Sequence, residues 1–350
     1  TLSTSAMSAT YKLEELGGID GAKFNYITDV SENGHIIGLA NGLYKLPVDV
    51  SYIDFTDSSI KDSYDTAKNQ YELIDKEITF TLDDIENNDA VNTNADAHAF
   101  MVSFLNGRST DSEYQKLSSA IATLYTSEGA SEQVLFDEQS LDFDGLTRST
   151  SNLLNAVTDD GVMVGWGSAP YEKTSFTQTD EDEEETHFLR DFISRAIVIT
   201  EDGVKVDLAP EFDEYGGISS ANDIIKTANG YEVVGTVSTD IAADPLEDIE
   251  DKCDNEDEPV SDCVETYNRQ YKTGIFNKRA VKWTLDSNLN ITNTEMYGLG
   301  LTPEDDEDFA FRSNAIAINE NGLVVGTSDV RYKSNSTRIT MPVIFENGEV

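Results

Sequence analysis

Long apolar runs are missing from this 350-residue chain, and so are the motifs that announce a chemistry. No stretch approaches the roughly 18 consecutive apolar residues of a membrane-crossing helix, so no membrane insertion is expected. The first ten residues, TLSTSAMSAT, carry neither the basic nor the apolar region of a signal peptide. If the protein is secreted, this chain is therefore expected to be its mature or trimmed form. Basic residues are scarce: 24 Lys and Arg stand against 67 Asp and Glu, a net charge of −43. That balance argues against nucleic acid and anionic membrane surfaces as partners. There is no G-x-S-x-G, no H-E-x-x-H and no phosphate-binding loop. With so many acids any carboxylate pair can be imagined, so none is specific, and no catalytic residue is assigned. His98 is the best lone titratable candidate, and a histidine at a strand start is usually structural. Cysteine is nearly absent, with only Cys253 and Cys263.

What the chain does have is a recurring short pattern. "INENGLVVGTSD", residues 318 to 329, places Asn321-Gly322 between two β-forming runs, with Gly326 after Val324-Val325. An Asn-Gly or Asp-Gly pair between β-formers is the strongest short-range hairpin signal, and it predicts a two-residue type I′ turn. Gly326 predicts a bulge or a close backbone approach. Copies occur at Asn33-Gly34, Asp160-Gly161 and Asn229-Gly230, each followed by two apolar residues and a glycine, at Gly38, Gly165 and Gly235. Gly34, Gly161, Gly230 and Gly322 are the expected structural turns.

A second hairpin follows each first one. The stretches HAFMVSFLNGRS, RAIVITEDGVKVDL, RAVKWTLDSNLNIT and PVIFENGEV supply them. Two hairpins make a four-stranded antiparallel meander. The fold class expected is mainly β, a β-propeller-like array of such meanders over about 20–146, 150–210, 216–297 and 311–350, with acidic loop insertions and one or two short helices. Residues 10–18 are expected to be a strand completing a neighbouring blade, as in an array cut out of phase from a longer parent. The two helices are expected in SYDTAKNQYELIDK, and over residues 110–129, where Tyr114, Leu117, Ile121 and Leu124 share one helical face, Thr110 with Glu113 makes a capping box and Gly129 a stop.

The pattern A-x-x-I-N-x-x-G-x-V-V-G-x-S resembles the HAF-type extracellular repeat proteins of marine gammaproteobacteria. Ala315, Ile318, Asn319, Gly322, Val324, Val325, Gly326 and Ser328 carry the resemblance, with "HAF" itself at His98, Ala99 and Phe100 and weaker matches at Ala280-Val281 and Arg195-Ala196. The first copy departs from it at Asp29-Val30 and Leu39-Ala40-Asn41. The resemblance implies secretion and a propeller-like fold, and it implies no activity.

The acids concentrate in insertions: residues 81–98, 178–187, 244–263 and 302–309. Hard cations take six to eight oxygen ligands, so Ca²⁺ is the cofactor such loops suggest. Candidate ligands are Asp251, Asp254, Glu256, Asp257 and Glu258 in one insertion and Asp180, Asp182 and Glu184 in another. Solvated acidic loops are the competing reading. Cys253 and Cys263, ten residues apart with no other cysteine, predict a local disulfide in an oxidising compartment. Three function classes stay open. The first is a non-enzymatic secreted or cell-surface scaffold for adhesion or binding, with a surface glycan or protein as ligand. The second is a self-assembling extracellular fibre subunit that exchanges strands. The third is an extracellular hydrolase.

Overall fold

In the computed structural model of the protein the described residues are 15–44, 47–136, 150–177, 184–253, 258–299, 308–331 and 337–346. The repeating hairpins build four successive antiparallel sheets. Sheet 1 contains β1 (Phe24–Val30), β2 (Ile36–Tyr44), β3 (Ser118–Thr126) and β4 (Gly129–Gln133). Sheet 2 contains β5 (Asn152–Val157), β6 (Val162–Gly167), β9 (Arg195–Thr200) and β10 (Lys205–Leu208), with an inserted hairpin of β7 (Glu172–Thr177) and β8 (Glu184–Leu189). Sheet 3 contains β11 (Ser219–Thr227), β12 (Gly230–Ile241), β13 (Phe276–Asp286) and β14 (Ile291–Met296). Sheet 4 contains β15 (Ser313–Ile318), β16 (Val324–Val330) and β17 (Ile339–Phe345). In each of the first three sheets the insertion leaves after the second strand. Sheet 1 carries α1 (Ser58–Leu73), α2 (Leu82–Asn87), α3 (Ala90–Thr93) and α4 (Ala95–Gly107), and sheet 3 carries α5 (Ala243–Lys252) and α6 (Val260–Gln270).

The glycine after the two apolar residues has a steric reason. It lies opposite a β-bulge on the first strand, where the register slips by one residue: Gly38 opposite Ile27, Gly165 opposite Leu154, Gly235 opposite Ala221 and Gly326 opposite Ala315. A β-carbon at these glycines would sit 1.9–2.1 Å from a carbonyl oxygen of the bulged strand. The bulge residue, Thr28, Asn155 or Asn222, turns its side chain to the next sheet. Thr28 Oγ1 donates to the Leu154 carbonyl at 2.8 Å, Asn155 Nδ2 to Ala221 at 2.8 Å and Asn222 Nδ2 to Ala315 at 2.7 Å. Each acceptor is the residue just before the next sheet's own bulge, so one local irregularity registers sheet on sheet. Apolar clusters seal the same junctions: Ile37 packs with Leu154, Val157 and Met163; Val164 with Ala221, Ile224 and Val233; Val234 with Ala315, Ile318 and Val324.

The turns differ from the expected type. Gly34, Gly161, Gly230 and Gly322 have φ of 87°, 80°, 146° and 76°, but Asn33, Asp160, Asn229 and Asn321 have none of the positive φ that a type I′ turn demands. In three of the four copies the loop is longer. Gly34 donates back to Ser31 and Ser31 to His35; Gly161 to Thr158 and Thr158 to Val162; Gly322 to Asn319 and Asn319 to Leu323. This is a type I turn followed by one left-handed residue, which needs a single glycine rather than a pair. The hairpin at Asp286 uses the same geometry with Leu289 at φ 65°, held there by burial.

Three further expectations are corrected. HAFMVSFLNGRS is not a strand pair: His98, Ala99 and Phe100 lie in α4, whose Ala97, Met101, Phe104 and Leu105 fill the core of the helical insertion. Residues 110–129 are not a helix: they lead into β3 and its turn, with Ile121, Leu124 and Tyr125 buried in sheet 1. Six α-helices stand among the described residues, where one or two were expected, because the acidic segments 81–98 and 244–263 fold mostly as helices. Residues 15–18 form no strand, and 10–14, like Asn347-Gly348, lie outside the described residues.

Candidate functional site

The insertions of the first three sheets meet at one place. Ser112 follows α4, His187 lies on β8 and Asp262 in the first turn of α6, next to Cys263. All three side chains are largely buried, His187 almost fully. Ser112 Oγ donates to Asp262 Oδ2. His187 Nδ1 lies 3.3 Å from the same carboxylate oxygen and 3.4 Å from Ser112 Oγ. His187 Nε2 has no hydrogen-bond partner and lies 3.6 Å from a carboxylate oxygen of Glu185. Backbone ties the junction as well, with the Phe188 N–H donating to the Ser112 carbonyl at 2.8 Å.

Electrostatics follow from this packing. The hydrogen bond that the Asp262 carboxylate accepts from His187 raises the His187 pKa above its usual value despite burial, with Glu185 and Glu113 adding to it. Burial would raise Asp262, but the bonds from His187 and Ser112 outweigh it and hold the carboxyl low. Glu113 has no such partner: burial, then the charges of Asp111 and Glu185, push it up. The result is a buried histidine whose pKa is raised by the acidic groups around it. Ser, His and Asp here do not form a nucleophile relay. That relay needs serine and aspartate on opposite ring nitrogens. Both sit at Nδ1, and the hydroxyl donates its hydrogen bond to the carboxylate.

Beside this cluster lies a cleft of about 450 Å³. Thr174, the strand partner of His187, and Ser261, the neighbour of Asp262, are on its wall. Arg190, Glu265, Asn268, Tyr215, Phe192 and Phe276 supply the rest of its character. Arg190 bridges to Glu265 at 2.6 Å and lies over the Tyr171 ring at 4.6 Å. Tyr215 stands at φ 51° in a 3₁₀ turn, Glu214–Gly216, a left-handed backbone that is rare for a tyrosine. A family model described as "Protein of unknown function (DUF3466)" matches residues 1–350. The chain belongs to the DUF3466 family. No curated protein and no solved structure matches it.

In this DUF3466 chain the disulfide joins Cys253, just past α5, to Cys263 in α6, with Cα atoms 5.6 Å apart. Ile249, Val264, Ile275 and Phe276 surround it, so it braces the α5–α6 insertion that delivers Asp262. The proposed calcium ligands are less easily placed. Asp180, Asp182, Asp254, Glu256 and Asp257 lie outside the described residues. Asp251, in α5, and Glu184, at the start of β8, belong to different insertions, as do Glu258 and Glu184. Among the described residues no group of three or more His, Cys, Asp or Glu is arranged to hold a metal ion. His98 is bound to the insertion core, its Nδ1 3.2 Å from the Val91 carbonyl. Nothing in the spacing of Ser112, His187 and Asp262 marked them as neighbours. The one available signal was a histidine inside an acidic, β-forming insertion.

Proposed function

We propose that this DUF3466 chain is a non-enzymatic binding scaffold, secreted or on the cell surface, in which a propeller-like succession of β-meanders holds a ligand cleft built from their insertions. The observation that carries the reading is the convergence of three insertions on His187 and Asp262 beside a 450 Å³ cleft. Separate insertions on separate sheets have little reason of stability to meet around a buried histidine–carboxylate contact, since the desolvation of such groups offsets most of what their pairing gains. The cleft combines flat apolar rings at Tyr215 and Phe192 with hydrogen-bonding groups at Arg190, Glu265 and Asn268. That mixture suits a glycan, whose rings stack on aromatics and whose hydroxyls both donate and accept. The disulfide, the excess of acid and the resemblance to HAF-type repeat proteins support an extracellular setting.

A glycan array probed with the 350-residue chain tests this. Binding to a defined glycan class that is lost in Tyr215→Ala and Asn268→Ala, with the fold of both variants retained by far-UV circular dichroism, is the expected result. Asn268→Ala also loses the hydrogen bond its Oδ1 accepts from the Ile275 N–H at 3.2 Å, so its melting temperature falls somewhat. Binding untouched by both substitutions, or no glycan bound, removes the cleft from the account.

A further inference from the structure

The three internal sheet junctions use the same positions, which makes the two outer faces of the array readable. On the face that receives the next sheet, the residue before the bulge-facing glycine is Ile37, Val164, Val234 or Val325. The first three are 0% exposed, and Val325 is 39% exposed. On the face that packs against the preceding sheet, the residue before the bulge is Leu154, Ala221 or Ala315, each 0% exposed; in sheet 1 it is Ile27, 52% exposed. Two residues after the bulge stand Val157, Ile224 and Ile318, 6–7% exposed, against Val30 at 51%. Sheet 4 therefore ends in an uncovered copy of a receiving face, and sheet 1 begins with an uncovered copy of an inserting face.

The receiving face is also shaped for a cover. Ile316, Val325, Gly326, Pro342, Val343 and Ile344 line an apolar groove of about 390 Å³. Ile316 takes the bulge position where Thr28, Asn155 and Asn222 project polar groups, and it is 47% exposed. Isoleucine at a solvent-facing bulge, where the other three sheets use a hydrogen-bond donor, is a residue chosen for apolar contact.

We infer that the free face of sheet 4 binds the free face of sheet 1 on a second copy of this chain, head to tail, repeating the apolar packing of the internal junctions between molecules, with Ile316 in place of the bulge hydrogen-bond donor. What selects that occupant is the chain's own three junctions, in which this face is covered each time by a strand with the pattern of β1. The contact is heterologous, so it propagates or closes into a ring depending on its rotation. It is independent of the cleft. The net charge of −43 opposes it at low ionic strength, and salt relieves that repulsion.

Sedimentation velocity on the 350-residue chain, at low salt and at about 1 M sodium chloride, where the screening length is about 3 Å, tests the inference. Concentration-dependent association that strengthens with salt is expected. Ile27→Glu and Val325→Glu should each hold the chain at monomer. An equimolar mixture of the two should form a dimer and stop there, because each variant keeps one intact face. Both positions are exposed, and far-UV circular dichroism and a melt confirm that the variants fold. A wild-type chain monomeric at every concentration and salt, single variants that associate like wild type, or a mixture that stays monomeric would each overturn it.

Discussion

Gly235→Ala should be among the most damaging small substitutions in this protein, although it adds one methyl group. The added carbon would stand 1.9 Å from the Ser220 carbonyl oxygen and 3.0 Å from the Trp283 ring. A carbon next to a carbonyl oxygen settles at about 3.3 Å or more, so the bulge must retreat by well over an ångström. Ser220 is flanked by two groups that hold sheet 3 to its neighbours. Ser219 Oγ accepts from the Ala196 N–H at 2.9 Å, and Asn222 Nδ2 donates to the Ala315 carbonyl at 2.7 Å. Losing two buried hydrogen bonds costs about 1–3 kcal/mol each where a partner is left unsatisfied. Gly203→Ala is the control. Gly203 has φ +86° and nothing within 4 Å, so its alanine meets only the left-handed backbone penalty of about 1–2 kcal/mol, partly offset by the stiffer unfolded chain. We expect about 3–5 kcal/mol for Gly235→Ala and about 1 kcal/mol for Gly203→Ala in urea titrations followed by the fluorescence of Trp166 and Trp283, which report on sheets 2 and 3. Equal costs, or a Gly235→Ala cost near 1 kcal/mol, would refute the steric reading of the glycines.

Reduction of the Cys253–Cys263 bond should lower stability by up to about 2.5–3 kcal/mol on the chain-entropy model for a loop this short, read as the melt with and without a thiol reductant. The intact protein should weigh less than its reduced form by the mass of two hydrogens. Asp160 is held down to about 2: burial would raise it, but Lys226, Tyr231 and Thr158 outweigh burial with hydrogen bonds. Its contribution is full above the ordinary aspartate value and disappears as pH falls toward 2, so Asp160→Asn should destabilise at neutral pH and flatten acid unfolding below pH 4, measured by circular dichroism. His187 titrates in the opposite sense. Its raised pKa gives stability that is present below its ordinary value and lost as pH rises through the folded one, and His187→Gln should abolish that alkaline loss in melts taken across the range. If the acidic insertions hold calcium, chelator should lower the melting temperature and Ca²⁺ restore it beyond what Mg²⁺ does at matched ionic strength; three equal melts would leave the acids as a solubility coat.

The repeats were legible in the sequence because their signal is local. An Asn-Gly or Asp-Gly pair, two apolar residues and a glycine occupy about ten positions, and each copy gave a hairpin at Gly34, Gly161, Gly230 and Gly322. The turn type was not legible, since a type I turn with one left-handed residue and a type I′ turn both favour Asn-Gly. The first insertion was read with helix and strand exchanged. Phe100, Met101, Val102 and Phe104 look like a strand by composition, yet Ala97, Met101, Phe104 and Leu105 repeat at helical spacing and pack one core. Ile121 and Leu124 share a helical face only by coincidence, within a short apolar run bounded by turns, which is the form of a buried strand. The site was invisible because it is made of contacts 75 residues apart: Ser112 with His187, and His187 with Asp262.

The distribution of charge separates two tasks that the chain performs with different residues. Between sheets, polar links are short and directional. Thr28, Asn155 and Asn222 donate to carbonyls without carrying charge, and Asp29 and Asp223 accept the Val157 and Ile318 N–H groups at 2.9 and 2.8 Å. At the corresponding places in sheets 2 and 4 stand Ala156 and Ala317, so successive junctions do not each bury a carboxylate. That spacing matters, because Asp223 is already pushed up, first by burial and also by the charge of Asp29. A third carboxylate near them would raise the cost again, since like charges in a partly buried setting repel without full screening. The junctions are therefore built mainly from neutral donors and apolar faces, with the carboxylates of Asp29 and Asp223 at alternate ones. The excess acid is concentrated in the insertions, and His187, buried beside Asp262 and Glu185, lies where those insertions meet.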